Sequence, residues 1–180
     1  MIIPKETLLL IIDVQGRLAQ GVFQSAILEA NIGKLVRGCT ILDVPVLLTE
    51  QYPKGLGSTI DSVKELLHGN VAVEKLSFSC CGTPDFMKKL RSFNRNDILV
   101  AGIEAHVCVY QTAVDLVEFG YNVHLVIDCV SSRTEENRTL GIRCIEKAGA
   151  SLTSTEMALF ELLRVAEGER FKAISKIVKE

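Results

Sequence analysis

Three side chains with reactive chemistry follow short apolar runs at separate points of the chain: Asp13, Lys75 and Cys108. A carboxylate accepts protons, an ammonium group stabilises negative charge, and a thiol becomes a strong nucleophile once it is deprotonated. In open parallel sheets, ligands bind beyond the carboxyl ends of the strands, so polar residues there are the first candidates for chemistry. The three types together favour nucleophilic catalysis assisted by a base.

Cys108 follows an apolar run and Gly102, at the point where a helix is predicted to begin. The positive end of a helix dipole favours the thiolate, so we expect Cys108 to be the most acidic of the six cysteines. Backbone N–H groups around Val107 and Cys108 would also suit an oxyanion. The alternative is that Cys108 is an inert, buried packing residue.

The other two candidates also have ordinary explanations. Asp13 ends a hydrophobic run, where a carboxylate also serves as a helix cap. Most lysines lie on the surface, yet Lys75 follows a short β run instead of decorating a helix. The loop Thr49–Gly57 is polar and then rich in Pro and Gly, which is typical of a pocket wall or of a simple turn. Placement at strand ends favours a functional role for Asp13 and Lys75.

Several classes of ligand are disfavoured by what the sequence lacks. The turn Asp13–Arg17 offers one glycine beside a negative charge, and no GxxxxGK[ST] loop occurs, so neither a dinucleotide cofactor nor ATP or GTP is expected. The net charge is −2 and the basic residues are scattered, which makes nucleic acid an unlikely partner. The six cysteines lie at no metal-binding spacing, which predicts reduced thiols. A small-molecule substrate fits better, and no cofactor is predicted.

Apolar runs alternate with stretches of helical periodicity, which predicts an α/β fold with a parallel sheet and helices on both faces. The predicted strands are Thr7–Ile12, Val46–Thr49, Val71–Val73, Ile98–Ala101, Val123–Ile127 and Ala150–Thr153. The predicted helices are Ala26–Leu42, Thr59–Leu67, Pro84–Phe93, Val107–Phe119 and Glu135–Ala148. One domain over residues 1–180 is expected, with residues 168–180 as a C-terminal helical tail or, alternatively, a dimer arm.

Three segments resemble the signature segments of the isochorismatase-like cysteine hydrolases: Leu10–Gln15, Glu74–Lys75 and Ala101–Val109. The loop Thr49–Gly57 resembles the isochorismatase domain-containing branch in particular. The resemblance implies a three-layer, Rossmann-like fold with a six-stranded parallel sheet in the order 3-2-1-4-5-6. It also implies that Asp13, Lys75 and Cys108 are catalytic, and that a non-proline cis peptide joins Ile103 and Glu104.

Two departures from the wider family refine this expectation. Nicotinamidases of the family bind a metal through an Asp-x-His segment, whereas this chain has Glu50 and Gln51 after the second strand, so no metal site is predicted. A cysteine nucleophile suits amide or related acyl chemistry better than vinyl-ether hydrolysis, so we predict C–N bond hydrolysis through a thioester. The residues predicted to contact the substrate are Gln15, Phe23, Glu50, Gln51, Phe78, Glu104 and Val107.

Two other functions compete with this hypothesis: a catalytically silent binding or scaffold protein, and a metal-dependent nuclease or RNA-associated protein that uses Asp13, Glu50 and Glu74. His106 stands two residues before Cys108, a spacing that does not bring two side chains together on a helix. His68 and His124 have no acid or cysteine at ligand spacing. A homo-oligomer without membrane association is expected, in the cytoplasm or, alternatively, in the mitochondrion.

Overall fold

The structure is a computed structural model that describes residues 1–67 and 69–180, so the prediction about His68 lies outside the described residues. The strands are β1 (Thr7–Ile12), β2 (Val46–Gln51), β3 (Val73–Lys75), β4 (Asp97–Ile103), β5 (Asn122–Ser131) and β6 (Ser151–Thr153). The helices are α1 (Gly16–Gln20), α2 (Ser25–Ile41), α3 (Pro53–Leu56), α4 (Asp61–Lys64), α5 (Pro84–Ser92), α6 (Cys108–Glu118), α7 (Glu135–Lys147), α8 (Thr155–Leu163) and α9 (Gly168–Lys179). Among these helices, none combines the length and the apolar character that crossing a membrane requires.

All six strands form one parallel sheet in the order β3-β2-β1-β4-β5-β6, which confirms the predicted α/β fold and strand order. Strands β1 to β3 follow one another towards one edge of the sheet, and strands β4 to β6 follow one another towards the other edge, so the strand order reverses between β1 and β4. The carboxyl ends of β1, β2 and β4 lie side by side, because Ile12 pairs with both Thr49 and Gly102. A ligand site is expected at this edge.

Every residue of β1 is buried because the strand is covered on both faces. Successive side chains point to opposite faces, so Leu9 and Ile11 pack in one core cluster while Leu10 and Ile12 pack in the other. Helices α2, α8 and α9 cover the first cluster, and helices α5, α6 and α7 cover the second. The molecule therefore has three layers, with the sheet in the middle.

The seam between β1 and β4 is unusually tight at one position. Gly102 has a φ of +125°, and a Cβ atom placed there would lie 2.1 Å from the carbonyl oxygen of Ile12. Only glycine tolerates both this backbone conformation and this approach. The register of β4 against β5 also shifts between Val100 and Gly102. Gly102 thus lets β1 and β4 remain paired up to the point where the polar residues after each strand begin.

Some element boundaries differ from the sequence-based predictions. Strand β3 spans Val73–Lys75, later than the predicted Val71–Val73, because Thr49 near the end of β2 pairs with Val73 and leaves Val71 85% exposed. The predicted helix Thr59–Leu67 contracts to α4, since Thr59 is held in a bridge to Gln15. Helices α1, α3 and α8 were not predicted.

The C-terminal segment is a helix, as expected, but it does not extend away as an arm. Helix α9 packs against α2 and α8, and it buries Ile174 and Ile177. Burying two such side chains contributes about 1.5–3 kcal/mol each, before the entropy of ordering the helix. Helix α9 is therefore part of the packed core of its own chain.

Candidate active site

Asp13 leaves the carboxyl end of β1 in a left-handed conformation, with a φ of 53°. Such a φ is uncommon outside glycine, although aspartate tolerates it better than most residues. The backbone N–H of Asp13 donates to the carbonyl of Thr49 at 3.3 Å, and the Asp13 side chain is only 1% exposed. The turn therefore directs a carboxylate into a buried space beside the next strand.

Lys75 meets this carboxylate from the end of β3. Its Nζ lies 2.6 Å from Asp13 Oδ2, and the lysine side chain is fully buried. The same ammonium donates to Gln51 Oε1 at 2.8 Å and to the carbonyls of Ser77 and Phe78 at 3.2 and 3.1 Å. Because its protons are occupied by fixed oxygens, Lys75 is placed to hold and neutralise Asp13 rather than to attack a substrate.

Cys108 is the first residue of α6, and its thiol lies beside the Asp13 carboxylate. Burial, followed by the negative charge of Asp13, raises the pKa of the Cys108 thiol from 9.0 to about 12, while Lys75 opposes the shift. Burial and the adjacent carboxylate therefore outweigh the lysine, and the expectation that Cys108 is the most acidic of the six cysteines stays a prediction. Burial raises the pKa of Cys39 and Cys80 to about 12 as well. The resting site holds a thiol beside a carboxylate.

The backbone before α6 folds back on itself. The carbonyl of Glu104 accepts the N–H groups of Val107 at 3.0 Å and of Val109 at 3.2 Å, and the peptide bond between Ile103 and Glu104 is cis. The prediction that the Val107 N–H binds an oxyanion is therefore wrong, since that donor is already used. The N–H of Cys108 has no acceptor among residues 1–67 and 69–180, and it is available to a substrate oxygen.

Gln15 and Gln51 connect the loop after β2 to the reactive trio of Asp13, Lys75 and Cys108. The Gln15 amide donates to the carbonyls of Gln51 at 3.0 Å and Gly57 at 2.6 Å, and it accepts the Gln51 N–H at 2.6 Å. The Gln51 side chain accepts from Lys75 and donates to the carbonyl of Leu76. With their polar atoms engaged in this way, Gln15 and Gln51 support the site from within.

Glu50 and Glu104, also predicted to bind substrate, have protein partners of their own. Glu50 Oε1 accepts from the backbone N–H and the hydroxyl of Thr59, at 2.7 and 2.8 Å. Glu104 Oε1 accepts from Arg133 Nε at 2.9 Å. Each carboxylate fixes a loop near the carboxyl edge of the sheet, and neither is gathered into the contact between Asp13, Lys75 and Cys108.

The two predicted aromatic wall residues lie in different places. Phe23 lines a cavity of about 80 Å³ together with Arg138 and Ser131. Phe78 is 56% exposed, and its carbonyl accepts from Lys75. The structure therefore places Phe78 beside the trio through its backbone, and Phe23 in a separate cavity.

A larger cavity of about 460 Å³ adjoins Lys75. Tyr52, Leu76 and Pro84 make its wall mostly apolar, Lys54 and Glu74 also line it, and Asp13 and Cys108 are not among the lining residues. Tyr52 belongs to the loop Thr49–Gly57, for which a pocket wall was one of the two predictions, whereas Leu76 was not singled out from the sequence. Their exposure as large apolar side chains, 51% and 77%, depends on the ends of β2 and β3 and has no local sequence signal.

No metal cluster of three or more His, Cys, Asp or Glu side chains occurs within the described part of the chain. Asp13, Glu50 and Glu74, which the nuclease hypothesis requires together, are not gathered: Asp13 binds Lys75, Glu50 binds Thr59 and Glu74 is exposed. His106 does not reach Cys108 either, since its Nδ1 lies 2.9 Å from the Ser132 hydroxyl. Thiol, carboxylate and ammonium remain the reactive set.

Comparisons with known proteins show which family this chain resembles. Residues 7–157 match the Isochorismatase domain family. "Isochorismatase family protein 1B" of Dictyostelium discoideum is 37% identical over 99% of this chain and 89% of its own length. The solved "MAR1 Ribonuclease from Caenorhabditis elegans" is 36% identical, covers 99% of this chain and 92% of that one, and superposes with a TM-score of 0.93.

A bacterial protein extends the likeness of fold. The YcaC gene product of Escherichia coli, described as an octameric hydrolase of unknown specificity, is 20% identical. It covers 98% of this chain and 89% of that one, with a TM-score of 0.92, and at this identity it shows the fold alone. With the family match over residues 7–157 and a relative 37% identical over 99% of this chain, the chain belongs to the Isochorismatase domain family.

Proposed function

We propose that the protein is a cysteine hydrolase that cleaves a small amide or related acyl substrate through a thioester on Cys108. The observation that carries the proposal is the contact of a protonated thiol with a buried carboxylate that is itself held by Lys75 at 2.6 Å. A thiol next to a fixed base is the arrangement required for nucleophilic catalysis. Membership of the family supports a hydrolase activity, and the arrangement of Asp13, Lys75 and Cys108 supports the proposed mechanism.

In this mechanism, Asp13 accepts the thiol proton as Cys108 Sγ attacks the substrate carbonyl. The unoccupied N–H of Cys108 donates to the oxygen on which negative charge develops. Asp13 then returns the proton to the leaving amine, the C–N bond breaks, and a thioester remains on Cys108. Asp13 next takes a proton from water as the water oxygen attacks the thioester carbon. The C–S bond then breaks, Asp13 returns the proton to Cys108 Sγ, and the acid product leaves.

The cavity beside Lys75 favours a small and largely apolar substrate. Its volume of about 460 Å³ lies at the lower end of the range for ligand pockets, and Tyr52, Pro53 and Leu76 give it apolar walls. No cofactor is required by the mechanism. We therefore expect neutral amides to be better substrates than multiply charged ones.

The direct test is a screen of small neutral amides for release of amine, with native mass spectrometry to detect an acyl adduct. The adduct is expected on the peptide that contains Cys108, and it should be lost in Cys108→Ala. Amide hydrolysis that continues in Cys108→Ala, with no adduct in the wild type, would replace covalent catalysis by direct attack of water. If no amide is hydrolysed and none forms an adduct, the scaffold hypothesis is favoured.

Ribonuclease activity is a second candidate because a relative that is 36% identical over 99% of this chain is described as a ribonuclease. The net charge of −2 and the absence of a clustered acidic triplet among the described residues argue against a metal-dependent form of that activity. A labelled RNA oligonucleotide incubated with wild type, Asp13→Asn and Cys108→Ala decides the matter. Cleavage that all three variants perform equally would show a contaminating nuclease, whereas cleavage lost only in Asp13→Asn would favour this candidate.

We also propose that the protein forms a homo-oligomer. The related E. coli structure is described as octameric, and this chain exposes large apolar side chains, including Leu76, Phe78 and Phe119. Burial of such side chains between copies is a common source of association. Native mass spectrometry should show a species larger than one chain, and a monomer at micromolar concentration would contradict this proposal.

A further inference from the structure

Thr49 presents a buried hydroxyl to the candidate base. The residue lies near the end of β2, opposite Ile12 of β1, and it is fully buried. Its Oγ1 donates to Asp13 Oδ1 at 2.8 Å, while its carbonyl accepts the backbone N–H of Asp13 at 3.3 Å. Thr49 therefore holds both the backbone and the side chain of Asp13.

The direction of this hydrogen bond is fixed by the neighbours of the hydroxyl. A threonine hydroxyl has a single proton, and an ionised carboxylate only accepts hydrogen bonds. The Cys80 thiol donates to Thr49 Oγ1 at 3.8 Å, which fills an acceptor position and leaves the hydroxyl proton for Asp13. Cys80 is itself located by its backbone N–H, which donates to Thr112 Oγ1 at 3.0 Å. The donor is thus oriented before any substrate arrives.

Lys75 alone does not determine the orientation of the carboxylate. An ammonium group acts as a point charge, so Oδ2 could stay near Lys75 Nζ while the carboxylate plane turned about its axis. The hydrogen bond from Thr49 to Oδ1 adds a second fixed point on the other oxygen. Two fixed oxygens define the plane of the carboxylate that lies beside the Cys108 thiol.

We propose that Thr49 is a positioning residue of the reaction, whose hydroxyl fixes the carboxylate plane of Asp13 so that this group receives the proton of Cys108 when the sulfur attacks. The inference rests on the proposed cysteine hydrolase function. A general base acts only within hydrogen-bonding reach of the proton it removes, and the expected contribution of such a base is roughly 100- to 10,000-fold in rate. Loss of its orientation forfeits part of that factor.

The probe is p-nitrophenyl acetate, whose acyl transfer can be followed before the natural substrate is known. Cys108 Sγ forms a bond to the acetyl carbon, the ester C–O bond breaks with its electron pair, and p-nitrophenolate leaves. The thiol proton passes to Asp13, and the product is acetyl-Cys108. The rate of p-nitrophenolate release in the first turnover is measured by absorbance, after subtraction of the rate of Cys108→Ala.

Thr49→Val removes the hydroxyl at nearly constant volume, and Thr49→Ser keeps it. We expect Thr49→Val to slow acylation by about 10- to 100-fold at neutral pH, and Thr49→Ser to stay within about threefold of wild type. The wild-type rate should vary little between about pH 6.5 and 8.5, because Asp13 takes the proton from a thiol that stays protonated. In Thr49→Val, the misoriented Asp13 accepts that proton less effectively and hydroxide contributes a larger share, so the rate should rise with pH instead of staying flat.

The outcomes separate the two proposals. If Asp13→Asn acylates at the wild-type rate, Asp13 is not the base and the proposed function fails. If Asp13→Asn is slow but Thr49→Val keeps the wild-type rate and a flat pH profile, only the role of Thr49 is overturned. Equal losses in Thr49→Val and Thr49→Ser would also overturn it, since a packing defect would then explain both. Should Thr49→Val not fold, Thr49→Ala is measured in its place, with the same pH profile expected.

Discussion

The two ends of the central sheet each carry an acid with a basic neighbour, yet only one end is built as a chemical site. At the carboxyl end, Asp13 and Lys75 lie 2.6 Å apart with side chains 1% and 0% exposed. At the amino end, Asp97 Oδ1 lies 3.6 Å from His124 Nε2, with side chains 12% and 17% exposed. The expectation that His124 has no acid partner is therefore wrong, because pairing of β4 with β5 brings the two together.

What separates the two pairs is burial and the set of surrounding donors. Asp97 also accepts from Asn122 at 2.9 Å, and both residues border a cavity of about 710 Å³ at the surface. Asp13 is held between a hydroxyl and an ammonium, with a thiol as its third neighbour. Burying a charge pair costs free energy, and buried ionisable groups with specific charged partners are often functional. The pair at the carboxyl end is therefore the better candidate for a functional site.

The largest expected difference between the two ends is kinetic. Once a hydrolysable amide is found, Asp13→Asn, Lys75→Met and Cys108→Ala should each reduce turnover by roughly a thousandfold or more, because the trio acts as one unit. Double variants should be scarcely slower than the single ones. Asp97→Asn serves as the matched control and should keep turnover within about twofold of wild type.

The second difference is in the free energy of unfolding. Lys75→Met should lower it by about 3–5 kcal/mol, since it leaves the buried Asp13 charge without a cation. Adding Asp13→Asn should restore part of the loss, because no unpaired charge then remains. Urea unfolding of the single and double variants measures both values, and a double variant less stable than Lys75→Met would contradict this explanation.

The third test uses the buried thiols near the carboxyl end. The folded pKa of Cys80 and of Cys108 is raised from 9.0 to about 12, so above pH 9 the unfolded chain loses protons that the folded chain retains. The contribution of these thiols to the free energy of unfolding is therefore fully present below about pH 9. It is lost as the pH rises towards 12, by about 1.4 kcal/mol per pH unit for each thiol.

Urea midpoints at pH 7, 9 and 10 provide the measurement of this alkaline loss. Cys80→Ala removes one of the two thiols and should make the decline with pH shallower. Because Cys39 carries the same raised pKa in α2, Cys39→Ala provides a reference thiol away from the trio. A decline unchanged in both variants would show that these thiols are not responsible.

The smallest expected effect is at the amino end. His124→Gln should change the free energy of unfolding by less than about 1 kcal/mol, because the pair with Asp97 is long and solvent reaches both groups. Thermal or urea unfolding at pH 6 and pH 8 tests this directly. If His124→Gln lowered the free energy of unfolding as much as Lys75→Met, the two charge pairs would not differ in the way proposed.

The sequence predicted most of the sheet because burial on both faces leaves continuous apolar runs, as in Thr7–Ile12, whose bounds match β1. Glycines with positive φ follow two of the predicted helices: Gly120 has a φ of 85° and Gly149 a φ of 108°. Helix α8 was missed despite local signals, since the Ser154 hydroxyl caps it and Ala158 and Leu159 supply its buried face. A short helix between a strand and a break is easily read as a loop.

The identities of Asp13, Lys75 and Cys108 were predictable because each stands at a strand or helix end, and the structure brings them together. Whether their roles are as proposed is left to the experiments above. Thr49 was not predictable, because a threonine in a strand carries no local sign that its hydroxyl faces an acid from a neighbouring strand. The pKa of Cys108 likewise depends on burial by distant segments, which a helix-dipole argument omits.

The tight seam at Gly102 sets a limit on how this chain can vary. A Cβ there would lie 2.1 Å from the carbonyl oxygen of Ile12, directly before Asp13, so even alanine would wedge β4 away from β1. Cys108 follows β4, and the wedge would separate it from the carboxylate. In a saturation-mutagenesis library, position 102 should therefore tolerate nothing but glycine and score like a catalytic position, although it offers no reactive group of its own.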